Sequence, residues 1–73
     1  MSGDGCRWVR SGSRYVGERL GWVLTVEQRG DGTWVLRVEH PDRMVAYSWT
    51  VADAAEGMAR GPAGAAYAAG ARS

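Results

Sequence analysis

The chain reads as an α+β domain, a three-stranded antiparallel meander packed against a C-terminal helix, with or without an extra N-terminal hairpin. Three observations predict it. Two stretches, "GWVLTVEQ" and "TWVLRVEH", alternate apolar and polar residues, as half-buried strands do. Glycine, proline and aspartate fall between the alternating stretches. At Thr50 the apolar spacing changes from every second residue to helical spacing. With 73 residues there is room for one small domain.

Residues 1–5 are polar and glycine-rich and are expected to fray, leaving residues 6–60 as the domain. "CRWVRSGSRYV" has two short apolar patches around Ser11-Gly12-Ser13, which is either a small hairpin or a loose arm. The middle is clearer. Trp22, Leu24 and Val26 share one face of a first strand, and Trp34, Leu36 and Val38 share one face of a second. Between them "RGDG" supplies the Asp-Gly pair and the positive-φ freedom of a tight hairpin.

Arg29-Gly30-Asp31 also spells the integrin-docking tripeptide. Its place at a hairpin tip accounts for Gly and Asp on backbone grounds alone, and it is read as a turn.

"HPDR" makes the next turn, with Pro41 presetting φ and Asp42 able to cap. "MVAYSW" is a third strand on which Val45, Tyr47 and Trp49 alternate. "TVADAAEGMAR" then puts Val51, Ala54, Ala55, Met58 and Ala59 at helical spacing, and Thr50-x-x-Asp53 has the form of a capping box. Gly61-Pro62 is expected to stop or kink that helix. Residues 61–73 then form either a short second helix opened by Pro62 or a flexible tail.

Composition excludes more than it assigns. Nine Arg against eight Asp and Glu give a net charge of +1, no strong field toward nucleic acid or an anionic membrane. There is no Lys, Phe, Ile or Asn, a global bias that a GC-rich genome explains more simply than selection for Arg. Cys6 is the only cysteine, so no disulfide forms within the chain. No apolar run approaches the roughly 18 residues of a membrane span, and "MSGDGCRWVR" has no signal-peptide core. A cytoplasmic location, without membrane contact, is the expectation.

Catalytic chemistry finds little support. One His and one Cys do not make a zinc site. His40 stands alone at a strand end, and no nucleophile motif accompanies it. Glu27 and Glu39, beside Arg37, read as a solvated ion-pair network. "GDGTW" lacks the Lys and the following helix of a phosphate loop. No enzyme activity, metal or cofactor is expected.

Two binding classes remain. The hairpin "GDGTWVLRVEH" followed by "YSWTVADAAEGMA" resembles AP2-type and phage-integrase arm-binding domains over about residues 20–60, through an aromatic-Thr step into an alanine-rich helix. The chain is also similar to small domains common in actinobacteria and their mobile elements. The first resemblance implies a sheet face laid in the DNA major groove, here Arg37 with Arg29 and Arg43 in the flanking turns. Glu27 and Glu39 on that same face depart from the pattern. Arg7, Arg10, Arg14 and Arg19, interleaved with Trp8 and Tyr15, would add phosphate contacts and stacking.

Protein contact is the other class. Four Trp and three Tyr exceed what one small core needs, and such residues dominate interface hot spots. Val23, Val35 and Met44 are expected as an apolar stripe beside Arg37 on the outer sheet face. The leading expectation is a non-enzymatic module that binds itself as a homodimer, or another protein. The alternative is an accessory DNA binder.

Overall fold

The computed structural model describes residues 7–71. The expected frayed residues 1–5 lie outside that range, as do Cys6 and residues 72 and 73. Five strands, β1 (Val9–Ser11), β2 (Arg14–Arg19), β3 (Trp22–Gln28), β4 (Trp34–Glu39) and β5 (Ala46–Val51), precede one helix, α1 (Ala54–Ala71). Each strand pairs antiparallel with the next, so the sheet order is the chain order. The class is α+β, and the sheet has five strands where the alternation alone predicts three.

The two added strands come from the N-terminal segment, which is a hairpin and not a loose arm. Ser11 stands opposite Arg14, leaving Gly12-Ser13 as a two-residue turn with Gly12 at φ +65°. β2 then pairs along β3 from Arg14↔Glu27 to Arg19↔Trp22. Gly17 hides this strand in the sequence, because a glycine interrupts its apolar alternation. The glycine is there for packing: a methyl at Gly17 would fall 3.1 Å from the Trp8 ring.

The β2–β3 turn is Leu20-Gly21, with φ of +56° and +82°. Two-residue hairpin loops of this twist need positive φ at both positions, and leucine is an uncommon occupant of the first. The β3–β4 turn carries Arg29-Gly30-Asp31, as expected. Gly32 N–H donates to Arg29 C=O at 2.9 Å, Arg29 N–H donates to Thr33 C=O at 2.8 Å, and Gly32 takes φ +90°. This is the three-residue hairpin loop that closes on a left-handed glycine. The Asp31 carboxylate is turned back on its own loop, where Oδ1 accepts Thr33 N–H at 2.9 Å.

The third expected strand is shifted. β5 starts at Ala46, not Met44, and keeps Thr50 and Val51, which the helical spacing had claimed. Val51 satisfies both patterns, since it is buried and stands opposite Trp34. The helix cap therefore moves by three residues. Asp53 Oδ1 accepts Glu56 N–H at 2.8 Å, and Glu56 Oε1 accepts Ala52 N–H at 2.6 Å. The cap is Asp53-x-x-Glu56, in place of Thr50-x-x-Asp53, with the Glu56 carboxylate reaching back one residue past the cap, to Ala52 N–H.

Gly61-Pro62 neither stops the helix nor opens a second one. α1 runs unbroken for 18 residues with Pro62 inside it. The ring costs one backbone hydrogen bond to Met58, but the residue before it is glycine, whose missing Cβ removes part of the usual clash. Packing supplies the rest: Gly57, Gly61, Gly64, Ala65 and Ala68 are buried against the sheet. These small residues bring the helix axis close to β3 and β4, the strands it mainly covers. The core beneath is Trp22, Leu24, Val26, Leu36, Val38 and Val51. Each of these large side chains contributes roughly 1.5–3 kcal/mol on burial.

Candidate interaction surface

Strand register sorts every side chain to one of two faces. Directly opposed residues share a face, so the side away from α1 carries three rows. One row is Ser11, Arg14, Glu27, Val35 and Thr50; the next is Val9, Val16, Thr25, Arg37 and Ser48; the last is Glu18, Val23, Glu39 and Ala46. Among the described residues no element lies over this outer face.

The four expected interface residues do not form one stripe. Val23 is on the outer face and half-buried. Val35 is on it too but only 4% exposed. Long side chains stand around it: Glu27, Arg29 and Arg37 line the same depression of about 260 Å³, and their stems shield the isopropyl group. Arg37 is exposed, and its guanidinium lies 3.2 Å from the Glu39 carboxylate on the same strand. Met44 is fully exposed, but it sits in the β4–β5 turn at the end of the sheet and not on the face.

A different apolar run is present. Val9 on β1 directly opposes Val16 on β2, and Val23 on β3 is diagonal to Val16; the three line a shallow depression of about 560 Å³ with Arg7 and Glu18. Val9 is 61% exposed. The sequence missed this run because it needs the β1–β2 register, which turns on reading Gly12-Ser13 as a two-residue loop.

The arginines proposed for nucleic acid are dispersed. Arg14 and Arg37 lie on the outer face, and Arg29 and Arg43 in turns at opposite ends of the sheet. Arg10 stands opposite Tyr15, on the helix-covered side, and its Nε donates to Gly12 C=O at 3.2 Å. Arg19 stands opposite buried Trp22 on that same side. Arg7 flanks the valine depression. Arg14 is 3.8 Å from Glu27, so both outer-face strand arginines have a carboxylate neighbour. With Glu18 the strands of this face carry three carboxylates against two arginines, and Arg7 and Arg29 stand at its margins.

His40 is part of the β4–β5 turn. Its Nδ1 accepts Asp42 N–H at 3.1 Å, and its ring packs edge-on against Trp22 with centroids 5.1 Å apart. Among the described residues no three His, Cys, Asp or Glu side chains cluster as a metal site would. No described helix is long and apolar enough to cross a membrane.

Two carboxyls are held below their usual values, both at structural sites. Thr33, through its backbone N–H and then its hydroxyl, lowers Asp31. The Ala52 N–H, followed by the Arg60 guanidinium at 3.0 Å, lowers Glu56. The first is a turn and the second a helix cap, so neither marks chemistry.

Compared with protein-family models, curated proteins and solved structures, the chain matches none. The likeness to arm-binding domains therefore rests on layout and on the quoted residues, and the sheet here has two strands more than that layout.

Proposed function

We propose that the chain is a small non-enzymatic binding module that acts through protein contact, itself included among its partners. The observation that carries the reading is the uncovered outer sheet face with its Val9–Val16–Val23 run. One helix covers one face; the other keeps apolar side chains in water unless a partner removes them. Charge supports the same choice. The paired Arg14–Glu27 and Arg37–Glu39 give the face a mixed, near-neutral rim, the pattern that suits a protein surface better than a phosphate backbone.

The test is sedimentation velocity of the purified chain, alone and with a labelled random-sequence DNA duplex at low salt. Association that ignores DNA supports the reading, and Val16→Arg should then weaken contacts made by the outer face without lowering the melting temperature. Co-sedimentation with DNA that fades as salt rises overturns it. In that case Arg37→Ala should lower DNA affinity and flatten its salt dependence.

A further inference from the structure

The two edges of the sheet are built differently. β1 is three residues long, with Arg7 just before it and Arg10 within it. Short, charged edges resist pairing with another chain. β5 is six residues, Ala-Tyr-Ser-Trp-Thr-Val, with no charge and no proline. It is hydrogen-bonded to β4 on one side, and among the described residues no strand pairs with its other side. Along an antiparallel edge, alternate residues direct their N–H and C=O groups outward. β5 thus presents a row of unfilled backbone donors and acceptors with none of the devices that normally guard one.

We propose that this edge is a self-pairing site: β5 of one copy adds antiparallel to β5 of a second copy across a two-fold axis at Ser48, joining two sheets into one of ten strands. This rests on the protein-contact reading and names the partner and the contact. Parity restricts the register. Opposed residues must share a face, so the two-fold must pass through a residue pair of like number.

Centred on Ser48, the outer face opposes Ser48 to Ser48 and Ala46 to Thr50, all small and uncharged. The inner face opposes Tyr47 to the second copy's Trp49, twice. Aromatic cross-strand pairs of this kind are among the favourable ones. Centred on Trp49, the register would instead oppose two indoles directly beneath the Tyr67 rings, which already pack edge-on against Tyr47 and Trp49 at 5.7 and 5.9 Å.

The neutral edge suits a second copy of itself in particular, since β5 opposes no like charges across the axis, and Arg60, the charged residue beside it on α1, is paired with Glu56 at 3.0 Å. A cleft of about 270 Å³ lies beside it, between β5 and α1, with Trp49, Ala63, Gly64 and half-exposed Tyr67 on its walls. Pairing would set two such clefts side by side, floored by the four β5 aromatics, and would remove the Trp49 and Tyr67 rings from water. It would also place two outer faces in one continuous surface.

Cross-linking tests the register. With Cys6 replaced by serine, Ser48→Cys should oxidise to a disulfide-linked dimer, because directly opposed residues bring their Cα atoms within the range a disulfide spans. Thr25→Cys, at the middle of the outer face, should form no disulfide-linked dimer while still sedimenting as a dimer. Ser48→Lys, which changes an exposed side chain and spares the core, should shift the sedimenting species from dimer to monomer with an unchanged circular dichroism spectrum.

A wild-type chain that stays monomeric at every concentration overturns the pairing. So does a dimer that cross-links at Thr25 and tolerates Ser48→Lys. Association lost with Val16→Arg but kept with Ser48→Lys overturns the edge pairing and leaves the protein-contact reading standing. Binding to DNA by a monomer overturns both.

Discussion

The helix glycines give a prediction whose sign changes along one element. Glycine inside a helix normally costs about 1 kcal/mol relative to alanine, so Gly→Ala should stabilise wherever a methyl has room. At Gly57 it has none: the methyl would fall 2.8 Å from Val26 Cγ1, 3.1 Å from Cγ2 and 3.3 Å from Val51. Val26 is fully buried on the central strand and β-branched, so it cannot turn aside. Overpacking of this kind costs typically about 1–3 kcal/mol, which outweighs the propensity gain. At Gly61 the nearest atoms, at 2.6 and 3.1 Å, belong to the Trp8 ring, which precedes the three-residue edge strand and can yield. At Gly64 the closest approach is 3.2 Å, and at Gly70 nothing lies within 4 Å.

Gly57→Ala should therefore lose up to about 2 kcal/mol net of the propensity gain, worth up to roughly 16 °C in melting temperature for a domain of this size. Gly61→Ala should also destabilise, because its methyl both meets the Trp8 ring and restores the clash with Pro62, and it should change the tryptophan fluorescence. Gly64→Ala should be near neutral, and Gly70→Ala should gain about 0.5 kcal/mol. Thermal and urea melts followed by far-ultraviolet circular dichroism give all four. A Gly57→Ala variant as stable as Gly70→Ala would refute the close approach of α1 to β3.

Asp53→Ala removes the cap on Glu56 N–H and should cost about 1 kcal/mol, read as a drop in urea midpoint. Leu20→Asn exchanges a leucine at φ +56° for a residue that tolerates it; relief of about 1–2 kcal/mol, less the lost burial of a 61% exposed side chain, leaves a net gain near ~0.5 kcal/mol in thermal melts. Glu56 and Asp31 both have folded-state pKa values lowered by hydrogen bonds. Their contribution is full above the unfolded values and is lost as pH falls through the lowered ones. Glu56→Gln should therefore lower stability at neutral pH, change it little in strong acid, and so flatten the acid limb of a stability–pH profile.

β3, β4 and the turn between them were legible because alternation and Asp-Gly-type turn chemistry agree there. The N-terminal hairpin was legible only as one of two options, since Gly17 breaks the pattern for the sake of Trp8, a contact that no local rule foresees. The helix start was misplaced because Val51 fits a strand and a helix equally, and the sequence offers two overlapping cap patterns, Thr50-x-x-Asp53 and Asp53-x-x-Glu56. Pro62 misled because tertiary packing of Gly64, Ala65 and Ala68 holds a helix that propensity would end. On the candidate surface, parity placed Val23, Val35 and Arg37 correctly on the outer face. It could not show that neighbouring stems bury Val35, or that Met44 falls in the turn.

The aromatic content, which looked like surplus for an interface, has a geometric cause. Strands lie about 4.8 Å apart, so five of them span roughly 19 Å between the outer axes. A helix about 10 Å across, and thin here because its buried stripe is glycine and alanine, covers about two strands. The inner face must be closed on both flanks by side chains alone. Trp8 closes one flank, resting on Gly17 and Gly61. Tyr67 over stacked Tyr47 and Trp49 closes the other. The two closures are unequal, because Trp8 comes with the added strands β1 and β2 behind it, whereas β5 has its aromatics at the open edge. The same small-residue stripe that lets α1 sit low thus leaves the β5 side under-covered, and that is the side where the backbone also lacks a partner.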